Sequence, residues 1–277
     1  ILGEVITEGV AIGLAPISCE YIQTYGGTHP HPSVQNVEVS EKIMELSKRI
    51  SDKDLVIVVV SGGGSALLCW PMEECKQANR LYEDFLKTGG DIRELNTIRK
   101  HLSMLKGGGL AKQLYPATVI GLIFSDVPGD NFEYIASGPT YKDVTTILDA
   151  QAILDKYGLT DYTLNETPND DKYFERVTNI PMVSNLEALE AMRAKAASFG
   201  IKAEILSSEM YGDPHQIVHS FLKEIEPGGM VLAGGEPKAI INKSDGTGGR
   251  CQRLAVEMLP HLTETDIFAA FASDGLD

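Results

Sequence analysis

The sequence predicts an α/β fold built on a mainly parallel sheet. Short apolar, β-branched runs alternate with segments of helical periodicity, the pattern of consecutive βα units. The runs end in glycine accompanied by Ser, Asp or Glu. There is no internal repeat and no low-complexity tract to suggest a solenoid or a disordered chain.

In chain order, Ser40 is a candidate N-cap for a helix through Ile50, with Ile43, Leu46 and Ile50 inward. Leu55–Val60 is expected to be a buried strand, by its length and β-branching. A helix follows from about Met72 to Thr88, with Ala78, Leu81, Tyr82 and Phe85 at helical spacing. The next helix carries Leu95, Ile98, Leu102 and Leu105 on one stripe. Asn96, Arg99, Lys100 and Ser103 share another face, Lys106 borders it, and Gly107–Gly109 stop the helix. Thr118–Phe124 reads as a strand and Thr145–Tyr157 as a helix, while the polar stretch Asp161–Thr178 reads as a surface excursion. Met182–Ser184 and Ala203–Leu206 are expected strands around a helix at Leu186–Phe199. Pro227-Gly228-Gly229 is the candidate boundary to a second unit. That unit would hold strands at Met230–Ala233, Ala239–Ile241 and Ile267–Ala272, and a helix at Cys251–Leu259.

The bulk composition narrows the function classes. The chain has 277 residues, 43% of them hydrophobic and 23% charged, ordinary values for a globular protein with a sizeable core. A formal net charge of -15 argues against nucleic acid or an anionic membrane as partner. No apolar run approaches membrane-spanning length. Four cysteines without a CxxC pair indicate neither a zinc site nor a disulfide scaffold, and a reducing cytoplasm fits best. The chain begins at Ile1 and stops soon after an apolar run, so both ends are expected to be incomplete.

In parallel α/β sheets, ligands bind outside the carboxyl ends of the strands. Four such ends carry suitable chemistry here: Ser61-Gly62-Gly63-Gly64-Ser65, Ser125 to Asp130, Gly234-Gly235-Glu236 and Ser273-Asp274-Gly275. Any one of them is also explained by turn chemistry; the coincidence of four is a site pattern. Ser61–Ser65 lacks bulk, so its N–H groups can approach an anion, although it is neither a Walker A loop nor GxGxxG. Asp245-Gly246-Thr247-Gly248-Gly249-Arg250 precedes a helix and combines flexible backbone, a helix N-terminus and an arginine. Asp126 and Asp130 are candidate Mg²⁺ ligands or proton acceptors, and Asp274 is a third carboxylate of this kind. His29-Pro30-His31-Pro32 suits a rigid substrate loop better than a metal pair. His215 and His219, four residues apart, read as a solvated helix face.

With these segments in view, the chain resembles the type II glycerate kinases, whose C-terminal half is called the MOFRL domain. The resemblance rests on THPHP at 28–32, DLVIVVVSGGGSALL at 54–68, LNTIRKHLSMLKGGGLA at 95–111 and IFSDVPGDNFEYIASGPT at 123–140. AGGEPKAII at 233–241, DGTGGRCQRLAVE at 245–257 and ASDGLD at 272–277 continue it in the family's order. It implies a Rossmann-like α/β/α sandwich over residues 1–226 and the start of a smaller α/β domain of MOFRL type over 227–277. The active site would lie in the cleft between them. It also implies ATP-dependent phosphorylation of D-glycerate, typically to 2-phosphoglycerate, with Mg²⁺.

Carried over by position, Ser61, Gly62, Gly63, Gly64, Ser65 and Ala66 would bind substrate or nucleotide phosphate. Asn96, Arg99 and Lys106 would line the cleft, and Gly248 and Gly249 would contact phosphate. Asp126, Lys100, Arg250 and Asp274 would be catalytic, with Asp126 and Asp130 toward the metal. Three departures stand out. The family's leading strand and Gly-Lys-Ala helix, whose lysine is thought to be catalytic, are absent from residues 1–277; Cys251 replaces the usual Asn and Arg253 the usual Glu; and the rest of the MOFRL domain is expected beyond Asp277. The implied partners are D-glycerate and a nucleotide, with no nucleic acid and no membrane; homodimerisation stays open. Two other readings remain: a hydroxypyruvate reductase, which would need a nicotinamide fingerprint absent here, and a non-catalytic protein binding a phosphorylated metabolite.

Overall fold

A computed structural model describes residues 3–85, 87–88, 90, 92–125, 132–237 and 248–272. By their contacts the residues divide into two compact units, 1–124 with 132–182, and 125–131 with 183–277. The Pro227-Gly228-Gly229 turn lies inside the second unit.

The first unit opens with a small parallel pair, β1 (Val10–Gly13) and β2 (Gln23–Gly26). Helix α1 (Val34–Ser47) follows, capped by Ser33 and Asn36 in a reciprocal capping box. The expected start at Ser40 is therefore corrected: Ser40 is buried mid-helix, and its hydroxyl accepts from the Cys69 N–H at 3.1 Å. Strand β3 (Leu55–Val60) pairs in parallel with β4 (Thr118–Phe124), Leu55 opposite Thr118 through Val60 opposite Ile123. Strand β5 (Val177–Val183) flanks β4: Val119 donates to the Arg176 carbonyl and Ser125 to that of Val183.

One face of this sheet holds Val56, Val58 and Val119, packed on Met44 of α1 and on Leu110 and Leu114 of the short helix Gly109–Leu114. The other face of β3 is open. Leu55 is 59% and Val59 64% exposed, so the expected burial of this strand is not met among the described residues. A β-branched run reveals a strand, but not what covers it.

Between β3 and β4 lie α2 (Gly64–Leu67), α3 (Met72–Phe85), α4 (Ile92–Leu102) and α5 (Gly109–Leu114). The apolar stripe of α4 packs as its spacing predicts: Leu95, Ile98 and Leu102 meet Leu81, Phe85 and Leu154, the last from α6 (Ile147–Tyr157). The helix ends at Leu102, earlier than the glycines imply. The Ser103 hydroxyl accepts from the N–H groups of Leu105 and Lys106, turning the chain so that Leu105 enters the core beneath the sheet.

The second unit sets α7 (Asn185–Ser198) and α8 (Pro214–Glu224) around the parallel pair β6 (Ala203–Gly212) and β7 (Met230–Pro237), with α9 (Arg250–Met258) beside them. Its core joins Ile217 and Val218 to Leu254 and Met258. The strand expected at 267–272 does not form. Phe268 and Ala270 pack on that helical core while Ile267 is 95% exposed, and no ladder partner meets the segment among the described residues. The strand expected at 239–241 lies outside the described residues.

Candidate functional site

Strand β3 delivers the chain into Ser61-Gly62-Gly63, where Gly63 adopts a left-handed φ of 77° and starts the single turn of α2. A Cβ on Gly64 would sit 2.5 Å from the Ala136 Cβ, so only glycine permits this approach. The approaching segment is itself unusual: Ala136 and Ser137 both take left-handed conformations (φ 51° and 59°) and are buried. Two successive non-glycine residues in that region store strain that their surroundings must hold in place. The glycines after Lys106 supply that hold, with Gly107 donating to the Ser137 carbonyl at 2.9 Å and Gly108 to that of Gly138 at 2.8 Å.

This docking lets the Ser137 hydroxyl donate to Asn96 Oδ1 at 3.1 Å while meeting the Ser65 hydroxyl at 2.9 Å. The loop 28–32 is tied to the same place by Asn36, which is fully buried. Its amide NH₂ donates to the carbonyls of Thr28 (2.9 Å) and Ala66 (3.0 Å), and its oxygen accepts from the Thr28 N–H (3.0 Å). Neither Asn36 nor Ser137 stands out by spacing; their partners lie 30 and 41 residues away in sequence.

Ser65, Ala66, Arg99 and Lys106 line one cleft, together with Pro30, Pro32, Glu74 and Tyr82. The cationic face expected of α4 is thereby split. Lys106 is 2% exposed, ion-paired with Glu74, and donates to the Leu68 carbonyl at 2.7 Å. Glu74 also accepts from the Ser103 hydroxyl (2.8 Å) and the Trp70 N–H (3.1 Å). Lys100 turns away to Asp143 at 3.0 Å, beside the buried His101 and the half-buried Thr145. Arg99 alone forms no ion pair and no hydrogen bond among the described residues, and burial pushes its guanidinium pKa down. A partly desolvated fork without an acid partner is suited to an incoming carboxylate or phosphate.

The remaining candidates lie elsewhere. Arg250 opens α9 in the second unit and pairs with Glu236, both about half exposed. Gly249 is the N-cap of that helix, and Gly248 has a φ of 112°. Asp126, Asp130 and Asp274 lie outside the described residues. Among the described residues, no three His, Cys, Asp or Glu side chains converge as metal ligands. His215 and His219 sit exposed on α8, with the His215 Nδ1 3.1 Å from Glu257 Oε1.

The chain has relatives among known proteins. Residues 2–167 match a family model described as a domain of unknown function, DUF4147. The D-glycerate 2-kinase of Thermotoga maritima is 32% identical, the alignment covering 100% of this chain and 71% of that protein. A putative hydroxypyruvate reductase of Agrobacterium vitis is also 32% identical, over 92% of this chain and 63% of its own length. A crystal structure of glycerate kinase from Thermotoga maritima superposes with a TM-score of 0.83 at 30% identity, covering 96% of this chain and 68% of that one. On identity, coverage and fold together, the chain belongs to the glycerate kinase family.

Proposed function

We propose that this protein transfers the γ-phosphoryl group of ATP to D-glycerate, giving 2-phosphoglycerate. The observation that carries the reading is Arg99, a guanidinium with no acid partner among the described residues, in a cleft shared with Ser65. Its fork matches the glycerate carboxylate, and the neighbouring Lys106–Glu74 pair adds no net charge to compete with it. Anchoring the carboxylate would fix the substrate's hydroxyls, and positioning is the main requirement of phosphoryl transfer.

Arg250 is the proposed neutraliser of charge on the transferring group. Its half-exposed pair with Glu236 is of a kind worth only about 0–1 kcal/mol, so a phosphate can displace the carboxylate. Gly248 and Gly249 would offer backbone N–H groups to the nucleotide, and Ser61 to Ala66 would do so in the first unit. Asp126 is the proposed acceptor of the hydroxyl proton, with Asp274 as a further catalytic carboxylate; Lys100 would act by holding α4 through Asp143. Asp126 and Asp130 are also the proposed Mg²⁺ ligands, and the bound ion would neutralise phosphate oxygens. An N-terminal Rossmann-like domain and a MOFRL-type domain are the proposed parts of a cytoplasmic enzyme.

The test is product identification by ³¹P NMR after incubation with ATP, Mg²⁺ and D-glycerate. A 2-phosphoglycerate resonance is expected; its absence above the ATPase background overturns the proposal. A glycerate-dependent change in nicotinamide absorbance would favour the reductase reading instead.

A further inference from the structure

The hydrogen-bond polarity around Ser65 points to a second element of substrate selection, one that rests on the glycerate-kinase reading. A serine hydroxyl carries one hydrogen. That of Ser137 is committed to Asn96 Oδ1 at 3.1 Å, so Ser137 can only accept from Ser65 at 2.9 Å. Ser65 has then spent its own hydrogen. What it presents to the cleft beside Arg99 is lone pairs alone.

The structure thus assigns Ser65 as an obligate acceptor that reads a hydroxyl on a carboxylate-bearing substrate and rejects a carbonyl in the same place. With the carboxylate on Arg99, an alcohol donates to Ser65. A keto oxygen there would face the lone pairs of Ser65 and leave a partly buried acceptor unmatched. Sites that hydrogen-bond a substrate hydroxyl in this way discriminate strongly against analogues lacking it. The polarity is set by residues that do not line the cleft. Ser137 and Asn96 are positioning residues, and the left-handed backbone at Ser137 aims its hydroxyl at both neighbours. The cleft would therefore select the reduced, hydroxy-acid member of a hydroxy-acid/keto-acid pair, placing the enzyme after a reaction that reduces the keto acid or otherwise delivers the alcohol.

The experiment compares the KM for D-glycerate with the inhibition constant of hydroxypyruvate. The wild-type enzyme is expected to hold hydroxypyruvate about tenfold or more weakly. Ser137→Ala frees the Ser65 hydrogen to turn into the cleft and should bring the two within about threefold. Asn96→Asp keeps an acceptor opposite Ser137 and should preserve the ratio. Should Ser137→Ala lose its circular dichroism signature, Ser65→Ala takes its place and should likewise erase the preference. Equal binding by the wild type, a ratio unchanged by Ser137→Ala or Ser65→Ala, or a ratio lost in Asn96→Asp overturns the assignment. If D-glycerate is not phosphorylated at all, the kinase reading falls first and this inference with it.

Discussion

Arg99 and Lys106 are seven residues apart and border the same cleft, yet they stand in opposite electrostatic situations. Lys106 is sealed against Glu74, with a serine hydroxyl and two backbone groups completing the cluster. Arg99 has no acid partner among the described residues. A buried, fully matched pair contributes position: it fixes the turn after α4 against the start of α3. A partly buried, unmatched cation contributes affinity for something not yet bound. Two cations in one motif therefore divide into scaffold and site, and substitution should separate them.

The largest effect is expected at the scaffold. Lys106→Ala leaves Glu74 charged and alone in the interior and should cost about 3–5 kcal/mol of stability, read by urea unfolding. Replacing both partners by apolar residues, Lys106→Met with Glu74→Leu, should recover most of that loss. If the double variant is as unstable as the single one, the pair is more than an electrostatic unit. Next comes Arg99→Ala, with a fall in kcat/KM for D-glycerate of about a hundredfold, about 2.7 kcal/mol, and little change in the unfolding midpoint. Arg99→Lys keeps the charge without the fork and should fall between. A large stability loss in Arg99→Ala would erase the distinction between the two cations.

A smaller effect is expected at Glu236→Gln, which releases Arg250 from its half-exposed partner. Stability should move by less than about 1 kcal/mol, and the KM for ATP should fall modestly if Arg250 meets phosphate. The smallest concerns the cap of α6. The Thr146 hydroxyl and N–H hold the Asp149 carboxyl below the usual carboxylate range. A pKa lowered on folding stabilises above about pH 4, and the contribution is lost as pH falls through the folded value. The difference in thermal midpoint between wild type and Asp149→Asn should therefore shrink from pH 6 toward pH 3.

The contrast between Arg99 and Lys106 was only half legible in the sequence. Periodicity placed Leu95, Ile98 and Leu102 inward, and the contacts with Leu81, Phe85 and Leu154 agree. It also grouped Asn96, Arg99 and Lys100 on one face. What it could not supply was the identity of the partners. Glu74 is 32 residues before Lys106, and Asp143 is 43 after Lys100. A helical face shows which residues point together, while whether a cation is satisfied depends on chain that arrives from elsewhere. The same limit explains Leu55–Val60, whose composition gave the strand and whose open face depends on what packs there. Asn36 was invisible for a related reason: an asparagine inside an amphipathic helix signals nothing until two loops converge on it. The bounds of Leu55–Val60 and Thr118–Phe124 were both legible to the residue, because a short apolar run closed by turn residues is a property of the segment itself.

The close approach of Gly64 to Ala136 gives the cleft a directional stiffness. With 2.5 Å between the Ala136 methyl and the place a methyl on Gly64 would occupy, the turn after β3 has no room to yield toward residues 135–139. It remains free only to move away. A single methyl at position 64 would thus work as a wedge, separating Ser65 from Ser137 without touching either hydroxyl. Such a variant would keep every polar group of the cleft and still lose their alignment.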